Sequence, residues 1–408
     1  MFRPLLPAVP KTSSPRRAEH FSPIPQRYNE DVNTNDAARE LLYSDAELSE
    51  FVLADVGVSG GFDQRWDVNG RTITKYGFDP LVSEIERLRS LSYNSEHYEA
   101  AWVVGPQATP RDEVQSTLFH RTSAHYAMTV MASKSRSYTQ EIFNAGKPVV
   151  LSDREIQLDS YFLDRARIFP NFLKVDTDGF DLGVLRGSSR LLQSPDLFGI
   201  QIECQFHGNP KDADSNNFSN IDLLLRENGF VLYQLEPHSY SRSALPSRFL
   251  YKIAAQTESG TVQWGEAVYF RDPWVSEDFQ NALLRNEPLV RKYLFGLITF
   301  GFPDVAVDAM TSLNINAEKT LPVDRILDCL NTSTGMGSRT YSELIALFQS
   351  DFTKFFPARS DGILEELVSI GLLSRWPRLR RIWRKCLELP ARILSSRRGR
   401  ASVAERCD

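Results

Sequence analysis

The chain has 408 residues, 42% of them hydrophobic and 24% charged, which suits a globular protein large enough for two domains, or for one domain with an appendage. A formal net charge of -5 and a pI near 5.8 argue against a general nucleic-acid binder. Four scattered cysteines, Cys204, Cys329, Cys386 and Cys407, with no C-x-x-C pair, exclude a disulfide scaffold or zinc ribbon and suit a reducing compartment.

The first segment, residues 1–35, is rich in proline, serine and charge without periodicity and is expected to be a disordered arm. Pro4, Pro7 and Pro10 break its apolar stretch, so no secretory signal is expected. No run of 18 apolar residues follows anywhere, and the chain is expected to be soluble and cytoplasmic. From about residue 50, short apolar runs alternate with amphipathic stretches. "FVLADVG" (51–57), "TITKYGF" (72–78), "AAWVVG" (100–105), "NFLKVD" (171–176), "FGIQIEC" (198–204) and "GFVLYQL" (229–235) predict strands, and "GEAVYFRD" (265–272) predicts a last, antiparallel one. Residues 80–91, 178–192 and 217–229 predict helices between them. The alternation predicts an α/β fold with a mostly parallel sheet covered on both faces.

After Asp272 the strand signal fades, and residues 276–300, 303–313, 340–352 and 361–373 carry apolar residues at helical spacing. Three parts are therefore expected: an arm (1–35), an α/β domain (36–272) and a helical C-terminal region (273–408). Within "RWPRLRRIWRKCLEL" (375–389), Trp376, Leu379, Trp383 and Leu387 alternate with arginines and Lys385. That pattern suits peripheral contact with an anionic membrane or an acidic partner, or a helix packed on its own domain with its arginines solvated.

Two strand ends carry the chemistry. The first strand ends in "ADVGVSGGFD", with Asp55 followed by Gly57, Gly60 and Gly61. Counted from Gly57, Ser59 and Phe62 stand where a pyrophosphate-binding G-x-G-x-x-G loop needs its second and third glycines. Asp79 ends the second strand, suitably placed to accept hydrogen bonds from two ribose hydroxyls. A glycine loop with that acid but no pyrophosphate signature fits an adenosine ligand without phosphates, S-adenosylmethionine foremost. The alternative is a tight turn, with Asp79 as N-cap and Pro80 at N1 of the next helix.

The second end lies in "FLKVDTDGFDLGVLRG" (172–187). Asp178 as N-cap and Asp181 at N3 would form an acidic capping box. Asp176 has no such explanation: it sits at the carboxyl tip of a parallel strand, where open α/β sheets bind ligands, and Lys174 shares its face. On the next strand Gln201, Glu203 and Gln205 share a face, with His207 just beyond. Glu203 either belongs to the cleft or pairs with Lys174 for structure alone. His207 and His238 are exposed loop histidines or, near a cleft, general bases.

Together these residues resemble the FkbM family of S-adenosylmethionine-dependent methyltransferases. "LADVGVSGG" is similar to its D-V-G-x-N-x-G loop, "GFDP" to its E-P dipeptide, and "EIQLDSYF" to its T-L-D segment. "FLKVDTDGFDLGVLRG" resembles its K-x-D-x-E-G-x-E-x-x-V-L-x-G block, and "IQIEC" the I-E that follows. The resemblance spans about residues 50–271 and departs at Ser59, in place of asparagine, and at Asp79, Asp178 and Asp181, in place of glutamate. It implies a Rossmann-like class I methyltransferase fold. It also implies methyl transfer to a hydroxyl of a sugar, glycan or secondary metabolite. Asp55, Gly57, Ser59, Gly61 and Asp79 would bind the cofactor, and Asp176, Lys174, Glu203 and His207 would carry the chemistry. Asp176 and Glu203 could share a Mg²⁺, but no third ligand is visible, and no metal site is expected. A nicotinamide-dependent oxidoreductase and a non-catalytic methyltransferase-like scaffold are the competing readings.

Overall fold

The computed structural model describes residues 36–42, 50–67, 73–106, 150–177, 179–208, 211–242, 256–313, 322–332 and 339–351. The expected arm, Asp178, the helix at 361–373 and the basic stretch 375–389 lie outside these residues.

The described residues form a seven-stranded sheet from β1 (Val52–Val56), β2 (Thr74–Asp79), β3 (Glu96–Ala100), β6 (Phe172–Val175), β7 (Gly199–Gln205), β8 (Phe230–Tyr240) and β9 (Thr261–Arg271). Its order is β3-β2-β1-β6-β7-β9-β8. Strands from β3 through β7 pair in parallel, while β9 runs antiparallel to both β7 and β8. Two short strands, β4 (Trp102–Val103) and β5 (Glu155–Ile156), pair apart from it. Helix α1 (Val82–Leu91) connects β2 to β3. This is the expected Rossmann-like arrangement, a mostly parallel sheet with helices, and a helical region follows it in the chain. The third strand of the main sheet is "EHYEA", and the expected strand "AAWVVG" forms instead the short β4, paired apart from the main sheet. As an edge strand "EHYEA" needs few apolar residues, so hydrophobic patterning passes over it.

Strand alternation gives the sheet two different faces. One carries Ala54, Val56, Phe78, Leu173, Val175, Ile200, Ile202, Cys204, Ala267 and Tyr269, all buried in one core. That core also takes in side chains of α2 (Asp181–Arg186), α3 (Ser189–Gln193) and α4 (Phe218–Glu227), and of a π-helical segment at Ser160–Ala166. Sequence periodicity predicts one helix over 178–192, but the chain breaks at Gly187, where a Cβ would lie 2.4 Å from the Val104 carbonyl oxygen. Asp159 caps α3 from 30 residues away: its carboxylate accepts the Arg190 and Leu191 N–H groups at 2.8 and 2.9 Å.

The opposite face is divided. Its N-terminal half is aromatic: Phe51, Trp66, Phe172, Phe198 and Phe270 lie in contact with Tyr293, Phe295 and Phe300, from α6 (Glu287–Thr299) and its C-terminal end. Helices α5 (Glu277–Arg285), α6, α7 (Pro303–Ser312) and α8 (Val323–Thr332) belong to a compact unit running to Gly335, so the expected boundary at 272 falls inside that unit. A second unit begins at Met336 and contains α9 (Tyr341–Ser350), which opens on a Thr340–Glu343 capping box. Among the described residues no helix is long and apolar enough to cross a membrane.

Candidate active site

The C-terminal half of the second face is polar, and the strand register shows why. Gly77, Asp55, Lys174 and Gln201 lie side by side across β2, β1, β6 and β7. One step further toward the strand ends, Asp79 closes β2, Asp176 follows β6, and Glu203, Glu266 and Glu236 stand directly opposite one another on β7, β9 and β8. Beyond them His238 pairs with Trp264, their rings 4.0 Å apart, and the indole N–H donates to the Tyr240 hydroxyl at 2.7 Å.

Lys174 organises the centre. Its Nζ lies 3.2 Å from Asp55 and 3.6 Å from Asp176, so one ammonium serves two carboxylates. Asp55 is almost wholly buried, and burial pushes its carboxyl up to about 6, with Lys174 acting against that rise. For Lys174 itself, burial opposes the charge, but Asp55, Asp176 and Glu266 outweigh it and its pKa is raised. Asp176 keeps 45% of its side chain exposed, which leaves its carboxylate accessible to solvent with the Lys174 ammonium beside it.

The glycine loop is built around a close approach. Gly57, at φ +87°, sits so near the end of β6 that a Cβ would lie 1.8 Å from the Asp176 carbonyl oxygen. Its N–H donates to Phe78 at 2.9 Å, and Asp176 N–H donates to Val56 at 2.9 Å, which locks the tips of β1, β2 and β6 together. Ser59 and Gly60 are exposed on the loop. The Gly60 N–H donates to Glu84 at 3.0 Å, and Arg87 pairs with that same carboxylate at 2.6 Å. Glu84, in α1, is a loop-holding residue that sequence reasoning did not single out; only its place one turn into the helix after Asp79 hints at it.

Asp79 is 9% exposed and accepts the Leu81 N–H at 2.8 Å. It is not the N-cap, which is Leu81; it forms a turn leading into α1. The expected capping box at Asp181 is absent too. Asp181 is the first residue of α2 and fully buried, and it reaches back to the Thr177 backbone and hydroxyl and across to Asn216. Burial raises its pKa, against those three hydrogen bonds.

Gln201 donates to Glu266 at 2.8 Å, which brings β9 into the site. Glu266 was not anticipated, because only the antiparallel register aligns it with Glu203. His207 follows β7 directly, is half-buried, and burial lowers its pKa, favouring the neutral ring. Among the described residues no cluster of three or more His, Cys, Asp or Glu side chains is placed to hold a metal ion.

Residues 76–232 match the family model described as the methyltransferase FkbM domain. That segment, 157 of the 408 residues, is similar to the FkbM methyltransferase domain. The matched segment runs from β2 into β8 and includes Asp79, Lys174, Asp176, Glu203 and His207. No curated protein matches the chain. Among solved structures, it is similar to magnesium protoporphyrin IX methyltransferase from Synechocystis PCC 6803 with bound SAM, at 11% identity and TM-score 0.26, over 59% of this chain and 79% of that one. It is also similar to a protein from Listeria monocytogenes described as an S-adenosylmethionine-dependent methyltransferase, at 10% identity and TM-score 0.29, over 60% of this chain and all of the other. Likenesses this low in identity and TM-score carry no inference about the chemistry of this domain, which rests on its own strand order and side chains.

Proposed function

We propose that this FkbM domain transfers a methyl group from S-adenosylmethionine to a hydroxyl oxygen of a sugar, glycan or secondary metabolite. The observation that carries the reading is a single polar half-face that joins the β1 glycine loop, the β2 acid and the open Asp176 carboxylate over Lys174. The residues fit the cofactor. The exposed Gly60, where a Cβ would meet nothing within 4 Å, leaves bare backbone on the loop after β1, and Asp79 offers a carboxylate for ribose hydroxyls at the neighbouring tip. Asp55, Ser59 and Gly61 complete that side.

When bound, S-adenosylmethionine supplies a methyl group on a sulfonium. An acceptor hydroxyl would take that methyl group by displacement at the sulfonium, and its proton would pass to a base on the protein. Asp176 is that base, oriented by Lys174; Glu203 holds a second hydroxyl of the acceptor, and His207, kept neutral by burial, is a second proton acceptor at the rim. Alignment of acceptor and methyl group contributes most of the rate, up to roughly 7–11 kcal/mol.

Two measurements test this. Calorimetry should show S-adenosylmethionine binding and no NADH binding; the reverse would return the domain to the oxidoreductase reading. Purified protein with methyl-labelled S-adenosylmethionine and cell extract should label an acceptor. Cofactor binding without any labelled product in extract would favour the scaffold reading.

A further inference from the structure

The base assigned above lies at the end of a strand, where side-chain direction depends on whatever holds the next residue. The structure assigns that task to a pair, the buried Asp181 and the half-buried Asn216. Resting on the methyltransferase reading, we infer that this pair is a positioning device for Asp176 and has no contact with the reacting groups.

Asp176 is fixed on its N-terminal side by its own N–H bond to Val56 and by the packing of Gly57 on its carbonyl. On its C-terminal side the next residue is held by one carboxylate oxygen. Asp181 Oδ1 accepts both the Thr177 N–H and the Thr177 hydroxyl, each at 2.9 Å. The same hydroxyl oxygen accepts the Phe180 N–H at 3.1 Å and so closes the turn. Asp181 Oδ2 accepts from Asn216 Nδ2 at 3.0 Å, and Asn216 Oδ1 accepts the Leu182 N–H at 2.8 Å. Asp181 has 0% exposure. A buried carboxylate that accepts three hydrogen bonds and pairs with no cation among the described residues is an expensive way to make a turn.

The donor pattern makes the pair order-dependent. In Asp181→Asn, one side of the new amide must present N–H₂ either to the Thr177 donors or to the Asn216 amide, and both are donors. Flipping the Asn216 amide would relieve that clash only by turning N–H₂ toward the Leu182 N–H. No arrangement satisfies every group. Exchanging the two residues does. The amide then at position 181 would accept from Thr177 and donate to the carboxylate at position 216, and that carboxylate would still accept from Leu182. The swap preserves volume, net charge and every hydrogen bond.

The test compares wild type, Asp181→Asn, and the double variant Asp181→Asn with Asn216→Asp. The readouts are methyl transfer from labelled S-adenosylmethionine into extract, S-adenosylmethionine affinity by calorimetry, and hydrogen exchange at the Thr177 amide. Asp181→Asn should lower transfer at saturating cofactor at least tenfold, leave the cofactor dissociation constant within about threefold, and speed Thr177 exchange. The double variant should recover most of all three. Loss of cofactor affinity in parallel with transfer, or an unchanged transfer rate in a folded Asp181→Asn protein, would overturn the inference. If Asp181→Asn does not fold, a folded double variant with near wild-type transfer supports the pairing, and a folded but inactive one overturns it. Absence of transfer in wild type would instead strike at the methyltransferase reading, and Thr177 exchange would still report on the clamp.

Discussion

Removing Lys174 should produce a pH-dependent loss of stability whose form follows from the geometry. Asp55 and Lys174 are 3.2 Å apart, a separation worth about 5 kcal/mol of gross attraction at an effective dielectric of 20. Much of that offsets the burial of both charges. Asp55 nevertheless titrates near 6 in the folded protein, against 3.8 in the unfolded chain. The raised value means that the folded state holds the proton more tightly. The Asp55 contribution is therefore fully present below pH 4 and is lost as pH rises to about 6, roughly 3 kcal/mol in all, after which it levels off. In Lys174→Met the carboxyl loses its counter-charge and stays protonated to higher pH, so stability should keep falling above pH 6 by about 1.4 kcal/mol per pH unit. Above pH 6 the gap between variant and wild type should therefore widen with pH, by about 1.4 kcal/mol per pH unit while the variant carboxyl stays protonated. Urea unfolding at several pH values measures this directly. Adding Asp55→Asn to Lys174→Met should abolish the widening. Parallel stability curves for wild type and Lys174→Met would refute the buried-pair argument.

The glycine loop offers an internally controlled test. Gly57→Ala should cost about 3 kcal/mol or more, or prevent folding, because it combines a left-handed φ with overlap on the Asp176 carbonyl, whereas Gly60→Ala, where a Cβ meets nothing within 4 Å, should cost only about 1–2 kcal/mol; equal melting temperatures for the two would contradict the close approach. Asp79→Asn should weaken S-adenosylmethionine about tenfold or more through loss of charge-assisted hydrogen bonds while keeping the acceptor for Leu81. Asp79→Ala should weaken the cofactor similarly and also lower stability by about 1–3 kcal/mol, and calorimetry with thermal melts separates the two effects. Asp176→Asn should cut turnover roughly a hundredfold with cofactor affinity within a few-fold; a lower melting temperature with normal turnover of the folded fraction would reduce Asp176 to a structural role.

Much of this protein was determined by local pattern. Apolar runs at β1, β2, β6, β7 and β9 are legible because strands buried on a core face must be Val, Leu, Ile and Phe whatever their neighbours are. Acids at strand tips are legible too, since Asp79 and Asp176 end apolar runs with charge that no buried strand would keep without a use or a partner. What local pattern could not decide was pairing. Lys174 shares its ammonium between Asp176, two residues away, and Asp55, 119 residues away, and only the parallel β1–β6 register brings the second acid near. Glu266 faces Glu203 because β9 runs antiparallel, and a shift of one residue would have turned it into the core. Asp181 resembles a cap because sequence alone sees only its own helix, whereas its carboxylate is shared between Thr177 and Asn216, 35 residues further on. Period and charge are carried by neighbouring residues and survive in the sequence. Hydrogen-bond partners and shared counter-charges depend on strand order and register, which long-range packing alone supplies.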